Sequence, residues 1–281
     1  MATHDLPSSP PAPAESLAQS RPGERSNWQA WLPWLPCALA WALALLATRL
    51  GWRALLDHHY VLEESGLPWL LAAAVFLAAW QVMIVAMMTP ISLPQMLRAL
   101  GQRGASSWRA LAVVALVFEG VWTAFGLLAF SSDTGIHRLV DVWPWLAAHT
   151  FVIGAVTLTL AGLFQFTPWK ADCLALCRDP RALFAGEGSA TRSTLWRASL
   201  AYGLASLGSC WALMLIMFGL GVGGPGWMLA LTGAMLAESA TSGASDASGA
   251  AGARRLIGLA LVALAALWLA HPAWLVPATA A

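Results

Sequence analysis

The chain has 281 residues, of which 59% are hydrophobic and only 10% charged, and its mean hydropathy is +0.66. That balance excludes an ordinary soluble domain and places the chain among polytopic membrane proteins, whose apolar surface is buried in lipid. A formal net charge of +1 gives no basis for binding nucleic acid or an acidic substrate.

In chain order, residues 1–27 are rich in Pro, Ser and Ala and hold no apolar run before Trp28. They read as a disordered cytoplasmic tail, since the apolar core of a cleaved signal peptide would start much earlier. Residues 28–281 then read as one transmembrane helical domain with seven apolar segments: Trp31–Arg49, Pro68–Met88, Arg109–Phe130, Trp143–Phe166, Ser199–Leu220, Gly226–Ala240 and Leu256–Val276. Most reach the roughly 20 residues that a bilayer core of about 30 Å requires. The sixth is short and follows the fifth across Gly221-Val222-Gly223-Gly224-Pro225, a link tight enough for a helical hairpin. If the fifth and sixth formed one re-entrant element, six spans would remain. The Ser/Gly/Ala run 242–253 reads as a flexible linker before the last segment. No internal repeat is evident, so the inverted-repeat signature of many secondary transporters is missing.

The chain has one lysine and 14 arginines. Only Arg49, Arg53 and Arg138 fall on one side of the seven segments; the other twelve basic residues fall on the side of the N-terminus. The positive-inside rule therefore puts the N-terminus of this multi-pass chain in the cytoplasm. Many of the 17 tryptophans stand near span ends, as an interfacial aromatic belt would place them. The four cysteines, Cys37, Cys173, Cys177 and Cys210, do not form a secreted disulfide framework, and free thiols are expected.

Where the fourth segment stops, Gln165, Thr167, Lys170, Cys173, Cys177 and Arg178 crowd into a short stretch. Pro168 suits the first turn of a helix and Pro180 its end. On that helix Cys173 and Cys177, four apart, share one face and could meet one ion. They could equally be small buried hydrophobes, because a lone C-x-x-x-C is a weak signal.

Apart from Met1, the methionines lie at 83, 87, 88, 96, 214, 217, 228 and 235, in the second, fifth and sixth segments and just after the second. This confinement predicts that those helices share a surface. Ser206, Cys210, Met214 and Met217 form one helical stripe, and Met228, Met235 and Glu238 another. Folding the hairpin brings Met217 level with Met228 and Cys210 level with Met235. Thiol and thioether ligands favour Cu(I) over hard cations, and the six scattered histidines argue against a zinc enzyme site. A methionine-rich helix interface without metal explains the same pattern. Two carboxylates stand at membrane depth. Glu119, mid-way along the third segment, is either a protonated carboxyl hydrogen-bonded to a neighbour or a proton or cation relay. Glu238 could pair with Lys170 or Arg178.

W-Q-V-M-I-V-A-M-M-T-P (Trp80–Pro90), A-G-L-F-Q-F-T-P-W-K-A-D-C-L-A-L-C-R-D-P (Ala161–Pro180) and G-S-C-W-A-L-M (Gly208–Met214), followed by Glu238, resemble a bacterial family of predicted metal-binding integral membrane proteins. The resemblance covers residues 80–238 and implies a polytopic inner-membrane protein with a metal role, but no particular reaction. It singles out Trp80, Met83, Met87, Met88, Pro90, Gln165, Thr167, Lys170, Cys173, Cys177, Arg178, Cys210, Trp211, Met214 and Glu238. Where the family is richer in cysteine and histidine, this chain has Tyr202, Ser206 and Ser209. A Gly-Gly-Pro-Gly turn replaces the Met-Asn after the fifth segment, and Ser239 replaces the Lys after the glutamate. Metal binding through fewer thiols, or through the cytoplasmic pair alone, is therefore expected.

The expectation is an all-α membrane bundle that binds or passes on a soft metal, Cu(I), through Cys173, Cys177, Cys210, Met214, Met217, Met228 and Met235, closed by Met83, Met87 and Met88. Gln165, Thr167, Lys170, Arg178, Glu119 and Glu238 would be its supporting polar groups, and a metal donor or acceptor protein its partner. Two rivals are an assembly subunit of a membrane complex, with a dry sulfur-lined interface, and a proton-coupled transporter using Glu119. No nucleophile–base pair or phosphate-binding glycine loop stands at useful spacing, so neither catalytic residues nor enzymatic activity is expected.

Overall fold

The computed structural model describes residues 32–52, 66–102, 108–184, 192–220, 224–239 and 247–271; the expected tail 1–27 and residues 242–246 of the expected linker lie outside them. The chain from Trp34 onward is one compact unit, distinct from the unit ending at Pro33. All regular structure among the described residues is helical: after a short 3-10 turn come α1 (Leu35–Leu50), α2 (Trp69–Gln102), α3 (Trp108–Val142), α4 (Pro144–Ala148), α5 (Phe151–Phe164), α6 (Pro168–Arg178), α7 (Arg181–Phe184), α8 (Arg192–Gly219), α9 (Pro225–Ser239) and α10 (Ala247–Ala270). Residues 247–253, read above as part of a flexible linker, are thus the first turns of α10. Their alanines are strong helix formers.

Length separates these helices into two groups. By length and composition, α2, α3, α8 and α10 can each cross a membrane. With 34 and 35 residues, α2 and α3 are about 50 Å long at a rise of about 1.5 Å per residue, so they overshoot a bilayer core. The pair α5 and α6 passes the same test only jointly, and it is bent by 68°. The 16 residues of α1 and 15 of α9 fall short of about 20. Among the described residues each of the seven apolar segments is helical, yet only four helices, or five spans with the bent pair, meet the requirement. Large apolar side chains such as Leu70, Leu116, Leu229 and Leu256 remain exposed, a surface compatible with a bilayer.

The fourth segment is not one continuous helix. At its start His149 N–H bonds the Leu146 carbonyl, three residues back. The His149 ring instead meets the Trp145 carbonyl through Nδ1 at 2.7 Å and stacks on the Trp145 indole. The tightened turn separates α4 from α5.

The most buried of the long helices is α8, which packs against α3, α5, α6, α7 and α9. A second line of contacts joins α2 to α1, α3 and α9, and α10 rests on α5 and α9. Within α2, Pro90 and Pro94 lie inside the helix. Having no N–H, Pro90 cannot bond the Ala86 carbonyl four residues back. That carbonyl accepts instead from Trp41 Nε1 at 3.0 Å and from the Cys37 thiol at 3.6 Å, so the backbone group freed by the proline docks α1. The next helix is held by Trp80, whose Nε1 donates to the Trp122 carbonyl at 2.8 Å. A Cβ at Gly126 would stand 2.6 Å from Trp80 Nε1 and 2.7 Å from its Cδ1, and only glycine leaves room for the indole against α3.

Gly126→Ala should therefore lower stability by about 1–3 kcal/mol, the range for overpacking a filled interior, read as an earlier thermal unfolding transition in detergent. An unchanged transition would mean that the α2–α3 seam yields without cost.

Candidate metal centre

The site is assembled around α6, whose sequence dictates its start and end. The Thr167 hydroxyl accepts from the Lys170 N–H at 3.3 Å and donates to the Phe164 carbonyl at 2.8 Å, so it caps α6 and fastens it to the end of α5. Pro168 occupies the first turn and Asp179 the C-cap. The Arg181 guanidinium, hydrogen-bonded to Asp179 at 2.5 Å from both Nε and Nη2, holds that carboxyl below its ordinary range. Both side chains are exposed, so the pair marks the helix end more than it stabilises it.

From α6 two cations reach α9. Lys170 Nζ lies 2.9 Å from Glu238 Oε2 with both side chains fully buried, a buried ion pair. Arg178 Nη2 donates to the Glu238 backbone carbonyl. Of the two partners considered for the Glu238 carboxylate, Lys170 is the one that pairs with it, and Arg178 bonds the backbone of the same residue. Arg254 of α10 donates to the Gln165 carbonyl at 3.4 Å and acts through charge on both Glu238 and Arg178. The Gln165 side chain is 1% exposed, and neither of its polar atoms has a hydrogen-bond partner.

Beside this cluster lies a cavity of about 20 Å³ between α2, α6, α8 and α9, room for a single water-sized occupant. Four sulfur-bearing side chains line it: Cys177 of α6, Cys210 of α8, Met88 of α2 and Met235 of α9. Glu238, Arg178, Gln95, Tyr202, Ser206 and Ser209 also face it. The Ser209 hydroxyl lies 3.3 Å from Cys210 Sγ and 3.9 Å from Cys177 Sγ, and donates to the Ser206 carbonyl at 2.9 Å. All four cysteines are free. Among the described residues no three His, Cys, Asp or Glu side chains converge as a metal-binding group, so a metal held here would need the two thioethers as well as the two thiols. Such a donor set is soft and suits a monovalent soft cation better than Zn²⁺ or Mg²⁺.

The other residues singled out from the sequence lie elsewhere. Cys173 lines a separate groove of about 480 Å³ with Trp169, Gly208 and Trp211. Met87, Met214, Met217 and Met228 are buried in the apolar core, with Met83 packed at its edge, so the shared surface of the methionine helices is the core itself and only part of it faces the cavity. Cys210 and Met235 do meet at one level, although α9 packs more extensively on α2 and α10 than on α8. Glu119 lines neither cavity; its Oε2 is buried without a hydrogen-bond partner, while its backbone carbonyl accepts from Thr123, whose hydroxyl takes a bond from Gln81. The sequence places Ser206 on the stripe of Cys210 but gives no role to Tyr202 and Ser209. Tyr202 is legible from helical spacing, since Tyr202, Ser206 and Cys210 follow one another at four-residue steps on α8.

The fold and the site define an all-helical protein with membrane-length helices and a cavity lined by thiols and thioethers. Residues 77–268 match the family PpoB2, described as copper chaperone. That match spans more than half of the chain, which thus belongs to this copper chaperone family. No curated protein and no solved structure matches the chain.

Lys170→Met leaves the Glu238 carboxylate buried without its cation and should cost about 3–5 kcal/mol, whereas Lys170→Met with Glu238→Leu should recover most of the loss. Unfolding transitions of the three proteins in one detergent test this; a double variant no more stable than the single one would place the destabilisation outside the ion pair.

Proposed function

We propose that this protein is a multi-pass inner-membrane Cu(I) carrier that binds the ion between Cys177 and Cys210, with the Met88 and Met235 thioethers completing the shell, and passes it to a protein partner. The observation that carries this reading is the convergence of two thiols and two thioethers, from four different helices, on one cavity of single-ion size in a chain of a copper chaperone family. Cu(I) between two thiolates carries a net charge of −1. Lys170 interacts through charge with Cys210, and Arg178 with Cys177, so fixed cations stand where that charge would develop. Ser209, within reach of both sulfurs, orients the pair. Only the carriage of an ion is proposed, and no reaction.

In this reading the N-terminus is cytoplasmic, as the arginine asymmetry directs. Seven segments cross the membrane, with α1 and α9 as short spans that local thinning of the bilayer accommodates. The ion site then lies near the cytoplasmic face, where thiols stay reduced.

The test is anaerobic Cu(I) loading of the full-length protein in detergent, with bound copper counted per chain. Wild type should retain about one Cu(I), the capacity of a one-ion cavity. Cys177→Ser with Cys210→Ser should retain none, and Cys37→Ser should match wild type. Equal copper in wild type and in the Cys177/Cys210 double variant would sink the assignment.

A further inference from the structure

Cys173 and Cys177 lie one helical turn apart on α6, with Cβ atoms about 5–6 Å apart, but they open on two different spaces. Cys177 faces the small cavity. Cys173 forms part of the wall of the 480 Å³ groove between α3, α6 and α8. A Cβ at Gly208 would stand 2.6 Å from Cys173 Sγ, so the missing side chain on α8 provides the seat for this thiol. Trp169, whose side chain is largely exposed, lines the same groove beside it. Cys173 and Cys210 are buried and Cys177 is half-buried, and the Ser209 hydroxyl stands between Cys177 and Cys210. Three thiols thus follow one another from the groove wall, along one turn of α6, to the cavity.

We propose that Cys173 is the exchange thiol of this protein, the sulfur through which Cu(I) enters and leaves the Cys177/Cys210 cavity by way of the groove. This rests on the copper reading above and adds a route to it. On entry, Cys173 loses its proton to solvent and its sulfur bonds Cu(I) as a donor ligand departs. Cys177 then bonds the ion, and the proton it releases returns to Cys173 as the Cys173–copper bond breaks; Cys210 bonds the ion as the last donor ligand departs, and its proton passes to solvent. Copper remains Cu(I) throughout, and no bond between sulfur atoms forms. A thiol with this role affects the rate of transfer and leaves the occupancy unchanged.

The experiment uses the full-length protein in detergent, loaded with Cu(I) without oxygen and mixed rapidly with an excess of a chromophoric bathocuproine-type Cu(I) chelator. Cys173→Ser should hold the same copper per chain as wild type and compete equally at equilibrium, yet release copper about tenfold more slowly, the lower end of the effect of groups that support a metal site. Gly208→Ala, which displaces the Cys173 thiol while leaving it present, should slow release in the same direction. Unchanged release in Cys173→Ser would overturn the exchange role, and a loss of bound copper in it would make Cys173 a resident ligand instead. Wild type that binds no copper would overturn the carrier reading and the route together, an outcome distinct from either of the others.

Discussion

Lys170 and Glu238 meet out of reach of water, and the geometry of the sulfur cavity follows from that contact. An ammonium and a carboxylate taken out of solvent are each costly, and their attraction offsets the cost only while they stay together. Since Lys170 belongs to α6 and Glu238 to α9, the pair fixes how these two helices lie across the end of the bundle. The Arg178 bond to the Glu238 carbonyl repeats the constraint one side chain further along α6. Once α6 is held there, Cys177 faces Cys210 on α8 and Met235 on α9, and the space between them closes to the size of one small occupant.

Around this end the bundle satisfies its backbone by side chains, as an apolar environment demands. Pro90 removes one hydrogen bond from α2, and Trp41 supplies the missing donor from another helix. Trp80 reaches the Trp122 carbonyl because Gly126 leaves space for its ring. Both tryptophans thus act as struts between helices, a role distinct from the interfacial belt inferred for those at span ends. They hold α2 in the position that brings Met88 to the cavity. The same economy holds at α6, where one Thr167 hydroxyl both caps the helix and ties it to the preceding one.

Cys173 and Cys177 show how a correct local inference can leave the site undecided. Their spacing places both on one face of α6, and the structure does so. That face, however, lies along α8, and Gly208 and Ser209 part the two thiols toward separate spaces. A helical period relates residues to their own axis; which gap each one enters depends on the neighbouring helix. The methionines teach the same lesson, since their confinement to three helices correctly implied a common surface, but most of that surface is dry core and only Met88 and Met235 reach the cavity.

The sequence by itself determined the all-helical class, the membrane-like composition, the ends of α6 from Pro168 and Pro180, and the set of soft ligands available, because these depend on composition and on contacts between near neighbours in the chain. It also offered Lys170 and Arg178 as partners for Glu238, and of these the tertiary structure brings the Lys170 ammonium to the carboxylate. Tertiary structure alone decided the break at His149, the length that leaves α1 short of a full crossing, and the helical state of residues 247–253. It alone brought Cys177, Cys210, Met88 and Met235, of the ten residues considered, to one cavity, with Tyr202, Ser206 and Ser209 beside them. Those outcomes depend on how helices far apart in sequence rotate and cross, and hydropathy and spacing carry no record of that geometry.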